Sequence, residues 1–473
     1  MEARKLISEK LNDSQLRQNL DFAMSLLQTN RKKLIKERYG DWEGLREEGR
    51  KVKQNALSRL PELLQRFEEK ATQNGIRIHW ASDANEANKI IYDLAKQHNV
   101  TKILKGKSMA SEEIHFNAYL KERGIKAIET DLGEIIIQLI DEPPVHIVVP
   151  AVHKNRYEIG EIFEKHLHVK RFSDPQDLNA VARTHLRKEF KEFKMGLSGV
   201  NFAIANEGAI WLLENEGNGR MSTTVPDIHV AICGIEKIVE TFDDAVILDT
   251  LLIPSATGQG ITCYNNIITS PRKDGDLDGP REVHVILLDH HRSDILSHKH
   301  YSKALSCIRC GTCMNHCPVY EKVGGHAYGA TYPGPIGEVI SPQIFGIDKY
   351  GYILNLCSLC GRCSEVCPVK IPLAEMIRDL RSEKVGQGSG EEILGISRVK
   401  PKVSEKIGFK IFAFLASTPW AWKLMLWKVR LLGPLGKPFA SIFPMLKQWT
   451  SCRAYPQIDA NFQSQKLEGV IYE

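Results

Sequence analysis

Two runs of cysteine carry the chemistry in this sequence. Cys307, Cys310, Cys313 and Cys317 form the first, followed by Pro318; Cys357, Cys360, Cys363 and Cys367 form the second, followed by Pro368. Both obey C-x2-C-x2-C-x3-C-P. Thiolates are soft ligands that suit iron–sulfur clusters, and a [4Fe–4S] cubane needs one thiolate for each of its four irons. Three cysteines at successive three-residue steps can wrap one cubane, while the fourth, set one residue further on, points away. Gly311 and Gly361 relieve crowding inside each loop and leave backbone N–H groups free to approach cluster sulfides. Pro318 and Pro368 fix the chain's exit after the fourth ligand. Zinc sites usually present cysteines in pairs and need only four ligands per ion, so two such quartets fit zinc poorly. Disulfides fit poorly as well, because clustered cysteines in a large chain without a secretory leader are more often metal ligands. Cys233, Cys263 and Cys452 lie apart, and Cys233 reads as a core residue of an apolar run.

The same spacing occurs in bacterial two-cluster ferredoxins, where the fourth cysteine of each run ligates the other cluster. By that analogy Cys307, Cys310, Cys313 and Cys367 hold one [4Fe–4S] cluster, and Cys357, Cys360, Cys363 and Cys317 hold a second. Clusters with crossed ligands lie close together, which suits electron relay. No iron is left without a cysteine, so no open catalytic iron is expected. The 39 residues between Cys317 and Cys357, with helical flanks such as 372–384, point by analogy to the helical ferredoxin variant of respiratory iron–sulfur subunits. Arg309, Arg362 and Lys370 stand beside the ligands, where charge would tune potential or docking.

The elements that must position these loops fall into four segments. Residues 1–72 are charged and helical in pattern, with Leu16, Leu20, Met24 and Leu27 on one stripe, Asp13 or Ser14 as its cap, and Pro61 in the first turn of another. Residues 73–295 alternate short apolar runs with helical stretches at 86–97 and 112–123. Expected strands are 76–80, 103–105, 127–129, 146–149, 201–205, 210–214, 229–233 and 283–288, which together imply an α/β domain with a largely parallel sheet. Residues 296–385 hold the cysteines in a mainly helical setting. Residues 386–473 open on a Gly-rich linker and form a basic, Trp-rich C-terminal segment of expected helices.

Several polar groups in the α/β segment offer chemistry of their own. Lys105, Lys107 and Ser108 follow an expected strand and precede a helix, an arrangement that can hold an anion or simply cap the helix. They lack the spacing of a nucleotide-hydrolysing loop. Glu129, Asp131 and Glu134 gather at another strand end, for acid–base catalysis or for a capped helix start. His290 and His291 beside Arg292 read first as surface residues, with contact to an anionic ligand as the alternative.

Taken with the cysteine runs, these motifs make the chain resemble the lactate utilisation protein B (LutB/LldF) family. The carrying residues are Lys105-Gly-Lys-Ser-Met109, Glu112-Glu113, Glu129-Thr-Asp-Leu-Gly-Glu134, Pro150-Ala-Val-His-Lys154, Asn215-Glu-Gly-Asn-Gly-Arg220 and the doubled ferredoxin motif. The resemblance runs over nearly the whole length. It implies a LUD domain, similar to sugar-isomerase and CoA-transferase α/β domains, followed by a two-cluster ferredoxin domain. It also implies an iron–sulfur electron-transfer subunit, itself without catalysis, in a multi-subunit system oxidising L-lactate to pyruvate. The implied partners are a cysteine-rich subunit and a smaller LUD-domain protein. The alternative is that the LUD domain binds substrate or an anionic cofactor and acts as a catalytic domain for another 2-hydroxy acid.

Composition sets the remaining bounds. With 42% hydrophobic and 26% charged residues over 473, the chain can bury a sizeable core and is not globally disordered. The formal charge of +5 is concentrated at the end: Arg398 to Glu473 holds 12 Lys/Arg against 4 Asp/Glu. Residues 407–449 interleave aromatics with cations, which suits docking onto a partner, peripheral contact with the inner face of a membrane, or filling of a core. Nucleic acid is not an expected partner, since no recognised binding module accompanies the charge. The sequence contains neither an apolar stretch long enough to span a bilayer nor a signal-peptide hydrophobic region, so a cytoplasmic location is expected.

Overall fold

A computed structural model describes residues 2–106, 108–386, 393, 396, 403–425 and 427. The chain divides into two units, Met1–Arg398 and Val399–Glu473.

In the first unit ten strands form two sheets: β1 (Arg77–Ala81), β2 (Lys102–Gly106), β3 (Lys126–Glu129), β4 (Met195–Gly199), β5 (Phe202–Ile204), β6 (Ala209–Glu214), β7 (Ile228–Gly234), β8 (Ile238–Val239), β9 (Tyr264–Ile268) and β10 (Glu282–Leu288). The larger sheet runs β1-β10-β7-β4-β2-β3, and every pairing in it is parallel. Parallel sheets are covered on both faces, so their central strands are apolar along their length rather than alternating. β7 is buried at all seven positions for this reason. The smaller sheet, β8-β5-β6-β9, mixes parallel and antiparallel pairs. The α/β class with a largely parallel sheet is therefore present as read from the sequence.

Three departures have identifiable physical causes. Residues 146–149 form no strand, because the His146 Nδ1 accepts hydrogen bonds from the backbone N–H groups of Val148 and Val149 (3.1 and 3.2 Å) and withdraws them from any ladder. Conversely, β4 lies in the middle of the sheet although its sequence, Met-Gly-Leu-Ser-Gly, lacks a β-branched signature. Its glycine is a packing requirement: a Cβ on Gly196 would sit 1.8 Å from the Ser222 carbonyl of the helix Asn218–Thr224. The expected helix over 112–123 is split into Met109–Glu113 and Phe116–Lys121 at His115, whose φ of 52° cannot continue a helix.

The N-terminal helices do more than precede the sheet. Asp13 caps Ser14–Arg38, and Pro61 lies in the first turn of Leu60–Gln73, as the sequence suggests. Leu16, Leu20 and Met24 enter one apolar core with Leu248 and Leu251 of the helix Phe242–Thr257, and with Tyr320, Val323, Ile340 and Leu380 of the cysteine region. The helix Ser14–Arg38 thus wedges against both. In the second unit, the helix Val403–Ser417 exposes Ile407, Phe409, Ile411, Phe412 and Phe414. The rest of the aromatic stretch over 407–449, beyond 425 and Trp427, lies outside the described residues.

Gly196→Ala should lower the thermal unfolding midpoint, by about 1–3 kcal/mol of overpacking, whereas Gly40→Ala, with nothing within 4 Å of the added carbon, should not. A second expectation concerns acid. His229 is buried in β7 with its Nε2 2.8 Å from Ser198 Oγ, and burial lowers its pKa from 6.5 to about 3. Below pH 6.5 the unfolded chain takes a proton here that the folded chain refuses, so this contribution is full above pH 6.5 and is lost as the pH falls. The slope from one such group is at most about 1.4 kcal/mol per pH unit. The midpoint should fall less between pH 6.5 and 4.5 in His229→Asn than in the parent.

Candidate metal centre and the adjoining cavity

The two cysteine loops fold alike because their backbones are bent alike. Arg309 and Leu359, the residues before the second cysteine of each run, have φ of 62° and 56°, and Gly311 and Gly361, just after it, have 76° and 79°. Short helices, Thr312–Asn315 and Arg362–Val366, begin at those glycines. These turns aim backbone N–H groups at sulfur. Arg309 N–H donates to Cys307 Sγ (3.4 Å) and Leu359 N–H to Cys357 Sγ (3.3 Å). The fourth cysteines are treated the same way, Cys317 by Tyr320 N–H (3.5 Å) and Cys367 by Ile371 N–H (3.3 Å). Such donors stabilise negative charge on cluster ligands and tune potential.

The fourth cysteine of each loop lies close to the other loop. Cys367 lies near enough to Cys307 and Cys310 to share their electrostatic environment, and Cys317 and Cys363 do so with Cys357. Cys313 feels the charge of Cys363, so the two groups of thiols adjoin. All ten described cysteines are free thiols. Burial pushes the Cys367 thiol up to about 11 and those of Cys317 and Cys363 to about 12. Gathered thiols of this kind ionise only when a metal cation accompanies them. The spacing suits a cubane better than one ion. A zinc ion 2.3 Å from four tetrahedral sulfurs would bring each pair to ~3.8 Å, yet among the described residues no three cysteine sulfurs lie within 4.8 Å of one another. A cubane's thiolates radiate from alternate corners and stand further apart.

The two groups differ in exposure. Cys310, Cys313 and Cys367 are buried, whereas Cys360 is exposed beside Leu359. The N-terminal helices seal the buried group. Arg46 donates to the carbonyls of Glu365 (2.6 Å) and Cys367 (2.8 Å), Arg31 to that of Val366 (3.2 Å), and Gln28 to that of Asn315 (2.6 Å). Lys370, in left-handed backbone just after Cys367, is held by Glu43 and Glu47 (2.7 and 3.2 Å). None of these partners could be paired from sequence, because each joins segments about 300 residues apart.

The polar groups at the strand ends of the α/β domain are mostly committed to one another. Lys105 is buried and bonded to Glu112, to Glu129 (2.7 Å) and to Asn117 (3.3 Å). Burial alone would lower its pKa, but the two carboxylates hold it above its usual range, while burial raises that of Glu129. A lysine so balanced has no charge left for an outside anion, which corrects the expectation of an anion site at this residue. Ser108 accepts from Ser111 N–H (3.1 Å) as the cap of Met109–Glu113, and Lys107 lies outside the described residues. Asp131 caps Leu132–Leu139 through the N–H groups of Gly133 and Glu134 (2.9 and 3.4 Å). The capped-helix alternative therefore accounts for Asp131.

A different network, whose pairing has no mark in the sequence, joins the sheet to the first cysteine loop. Arg292 is buried, forks both ways onto Glu113 (2.8 and 2.8 Å) and reaches Glu236 (2.6 Å). Tyr332 donates to Glu113 (2.6 Å), and Arg309 bonds Glu236 (3.2 Å) with its guanidinium 4.8 Å from the Tyr332 ring centre. Glu236 is buried, yet Arg292 and Arg309 hold its pKa down to about 2. Above this network, beyond the carboxyl ends of β2, β4 and β7, lies a cavity of about 280 Å³. Arg309, Tyr332, Arg292 and Glu236 line it with His146, which burial keeps neutral with a pKa lowered to about 4. Glu113, Arg292 and Arg309 each stood in a stretch that the sequence singled out, but nothing in the sequence paired them.

Family profiles match the chain in three consecutive stretches: LUD domain at 64–288, 4Fe-4S dicluster domain at 303–371, and Lactate utilisation protein B, C-terminal, at 379–465. Lactate utilization protein B of Bacillus licheniformis is 39% identical over 455 residues, 95% of this chain and 93% of that one. The chain belongs to the lactate utilization protein B family. Its counterpart in Bacillus subtilis strain 168 is 37% identical over 454 residues (95% and 92% of the two chains). The uncharacterized electron transport protein YkgF of Escherichia coli K12 is 39% identical over 418 (88% and 85%). In this family member the cysteine loops correspond to the dicluster match, and the buried Arg292 network links that match to the LUD sheet. Iron–sulfur clusters are the cofactor class that fits these thiols.

The two loop glycines should differ in tolerance. A Cβ on Gly311 would meet His146 Cε1 at 2.8 Å in addition to the φ of 76°, whereas Gly361 has the strained φ alone and open space. Iron content after anaerobic reconstitution should therefore fall further in Gly311→Ala than in Gly361→Ala.

Proposed function

We propose that this chain is the iron–sulfur electron-transfer subunit of a multi-subunit system that oxidises L-lactate to pyruvate, and that it carries two [4Fe–4S] clusters. The observation that carries this reading is the closeness of each fourth cysteine to the other loop, in two adjoining thiol groups, one buried and one reaching the surface at Cys360. Cys307, Cys310, Cys313 and Cys367 hold the buried cluster, and Cys357, Cys360, Cys363 and Cys317 the outer one. When bound, the clusters supply one-electron acceptance and donation. Lactate oxidation releases two electrons and two protons, so a pair of one-electron centres suits its passage onward.

The protein's part is to space, insulate and tune. The N–H groups of Arg309, Leu359, Tyr320 and Ile371 favour the more negative state of each ligand set, and Arg31 and Arg46 add positive charge behind the buried one. The relatives named lactate utilization protein B and electron transport protein support the lactate-linked role. The partners we propose are a cysteine-rich subunit and a smaller LUD-domain protein, one of them docking where Cys360 and Leu359 are exposed. Among the described residues no helix is long and apolar enough to cross a membrane. The apolar exposed face of Val403–Ser417 supports peripheral contact with the cytoplasmic side of a membrane.

Anaerobically purified protein should hold roughly eight irons and eight sulfides per chain. Cys367→Ser and Cys317→Ser should each deplete a different cluster, read by iron count and by the paramagnetic resonance of the reduced protein. With its partners present, L-lactate should bleach the clusters. Zinc in place of iron, or clusters that lactate and the full set of partners leave oxidised, would overturn the reading.

A further inference from the structure

The cavity near the cysteine loops has an unanswered donor. Lys237, Arg292 and Arg309 line it together with the carboxylates of Asp131, Glu134, Glu214, Glu216 and Glu236, and Lys53 and Glu113 stand behind that lining. Arg292 is satisfied by Glu113 and Glu236, and Lys53 donates to the Glu236 carbonyl. Arg309 is not fully used. One side of its fork meets Glu236, but its Nη1 is shut off from solvent with no partner, on a side chain only 10% exposed. Lys237 lines the same cavity, close enough to Arg309 and Cys307 to feel their charges, and its ammonium has no hydrogen-bond or ion-pair partner among the described residues. A buried guanidinium with a free edge is costly unless something accepts from it, and its planar fork matches an oxyanion.

The rest of the cavity suits an organic ligand. Val200, Leu252 and Ile253 provide apolar wall, and the crevice lies outside the carboxyl ends of parallel strands, where open α/β sheets bind ligands. Of the carboxylates that share the wall, Asp131 accepts from Gly133 and Glu134 N–H, and Glu214 from Gly219 and Arg220 N–H. We infer that this cavity binds a small organic oxyanion, a carboxylate or a phosphate, with its head group seated between Arg309 and Lys237 beside Cys307. An anion there lies next to the buried ligand set, so its binding and the redox state of that set are reciprocally linked. Bound anion makes reduction harder, and a tenfold loss of affinity on reduction corresponds to about 59 mV.

The test uses the full-length chain reconstituted anaerobically, titrated calorimetrically with L-lactate, pyruvate and inorganic phosphate in separate arms. At least one should bind saturably at one site per chain, the carboxylates or the phosphate identifying the head group. Lys237→Gln should weaken that binding about tenfold or more with iron content unchanged, and Lys237→Arg should restore most of it. The bound anion should also lower the midpoint potential of one cluster. The inference falls if none of the three binds below about 10 mM to fully loaded protein, or if binding ignores Lys237→Gln. It falls equally if Lys237→Gln shifts the potential by the same amount with and without anion, since the cations would then only offset the thiolates. Binding is read without turnover or partners, so its outcome is independent of whether lactate reduces the clusters.

Discussion

The fourth thiol of each cysteine loop stands near the first thiol of the other loop, Cys367 near Cys307 and Cys317 near Cys357. That crossing shapes the cysteine region of the first unit. Cys367 can stand near Cys307 and Cys310 only if the second loop turns back on the first, and Cys317 can join Cys357 and Cys363 only through the reverse approach. The intervening chain, including the buried helix Gly334–Phe345, fills the space this leaves. Because the loops depend on each other, a distortion of one is felt by both ligand sets.

Such an arrangement needs an outer clamp, since short helices of four or five residues have little stability of their own. The clamp comes from the opposite end of the sequence. Arg46, Arg31 and Gln28 bond carbonyls that flank the ligands, and Leu16, Leu20 and Met24 share one core with the cysteine region and the helix Phe242–Thr257. Charged side chains bonded to partly buried carbonyls hold geometry more tightly than apolar contact alone, because each bond has a direction. The result is an insulated inner thiol group and an outer one that meets solvent.

The buried pair of arginines, Arg292 and Arg309, joins the sheet to this assembly. A fully desolvated charge must be balanced nearby, and Arg292 is balanced by Glu113 from the segment after β2 and Glu236 from the segment after β7. Arg309 extends the network into the loop between Cys307 and Cys310. The strand ends of the α/β domain and the first cysteine loop are thereby parts of one polar structure, and Arg309 of that loop lines the cavity at the strand ends.

The sequence by itself determined the chemistry and the class of fold. Eight thiols at that spacing admit few metals, and apolar runs such as 229–233 and 283–288 can only be covered strands, since the local pattern and the requirement come from the same residues. Helix caps at Asp13 and Asp131 and the place of Pro61 were legible for the same reason. What the sequence could not show is whatever depends on contacts between distant segments. β4 is hidden because its glycine answers to Ser222 of another element. Lys105 looks available for an anion until Glu112 and Glu129 close on it. The pairing of Arg292 with Glu113 and Glu236, and of Arg46 with the Cys367 carbonyl, has no local signature: burial turns isolated charges into partners, and only the tertiary structure decides which charges are buried together.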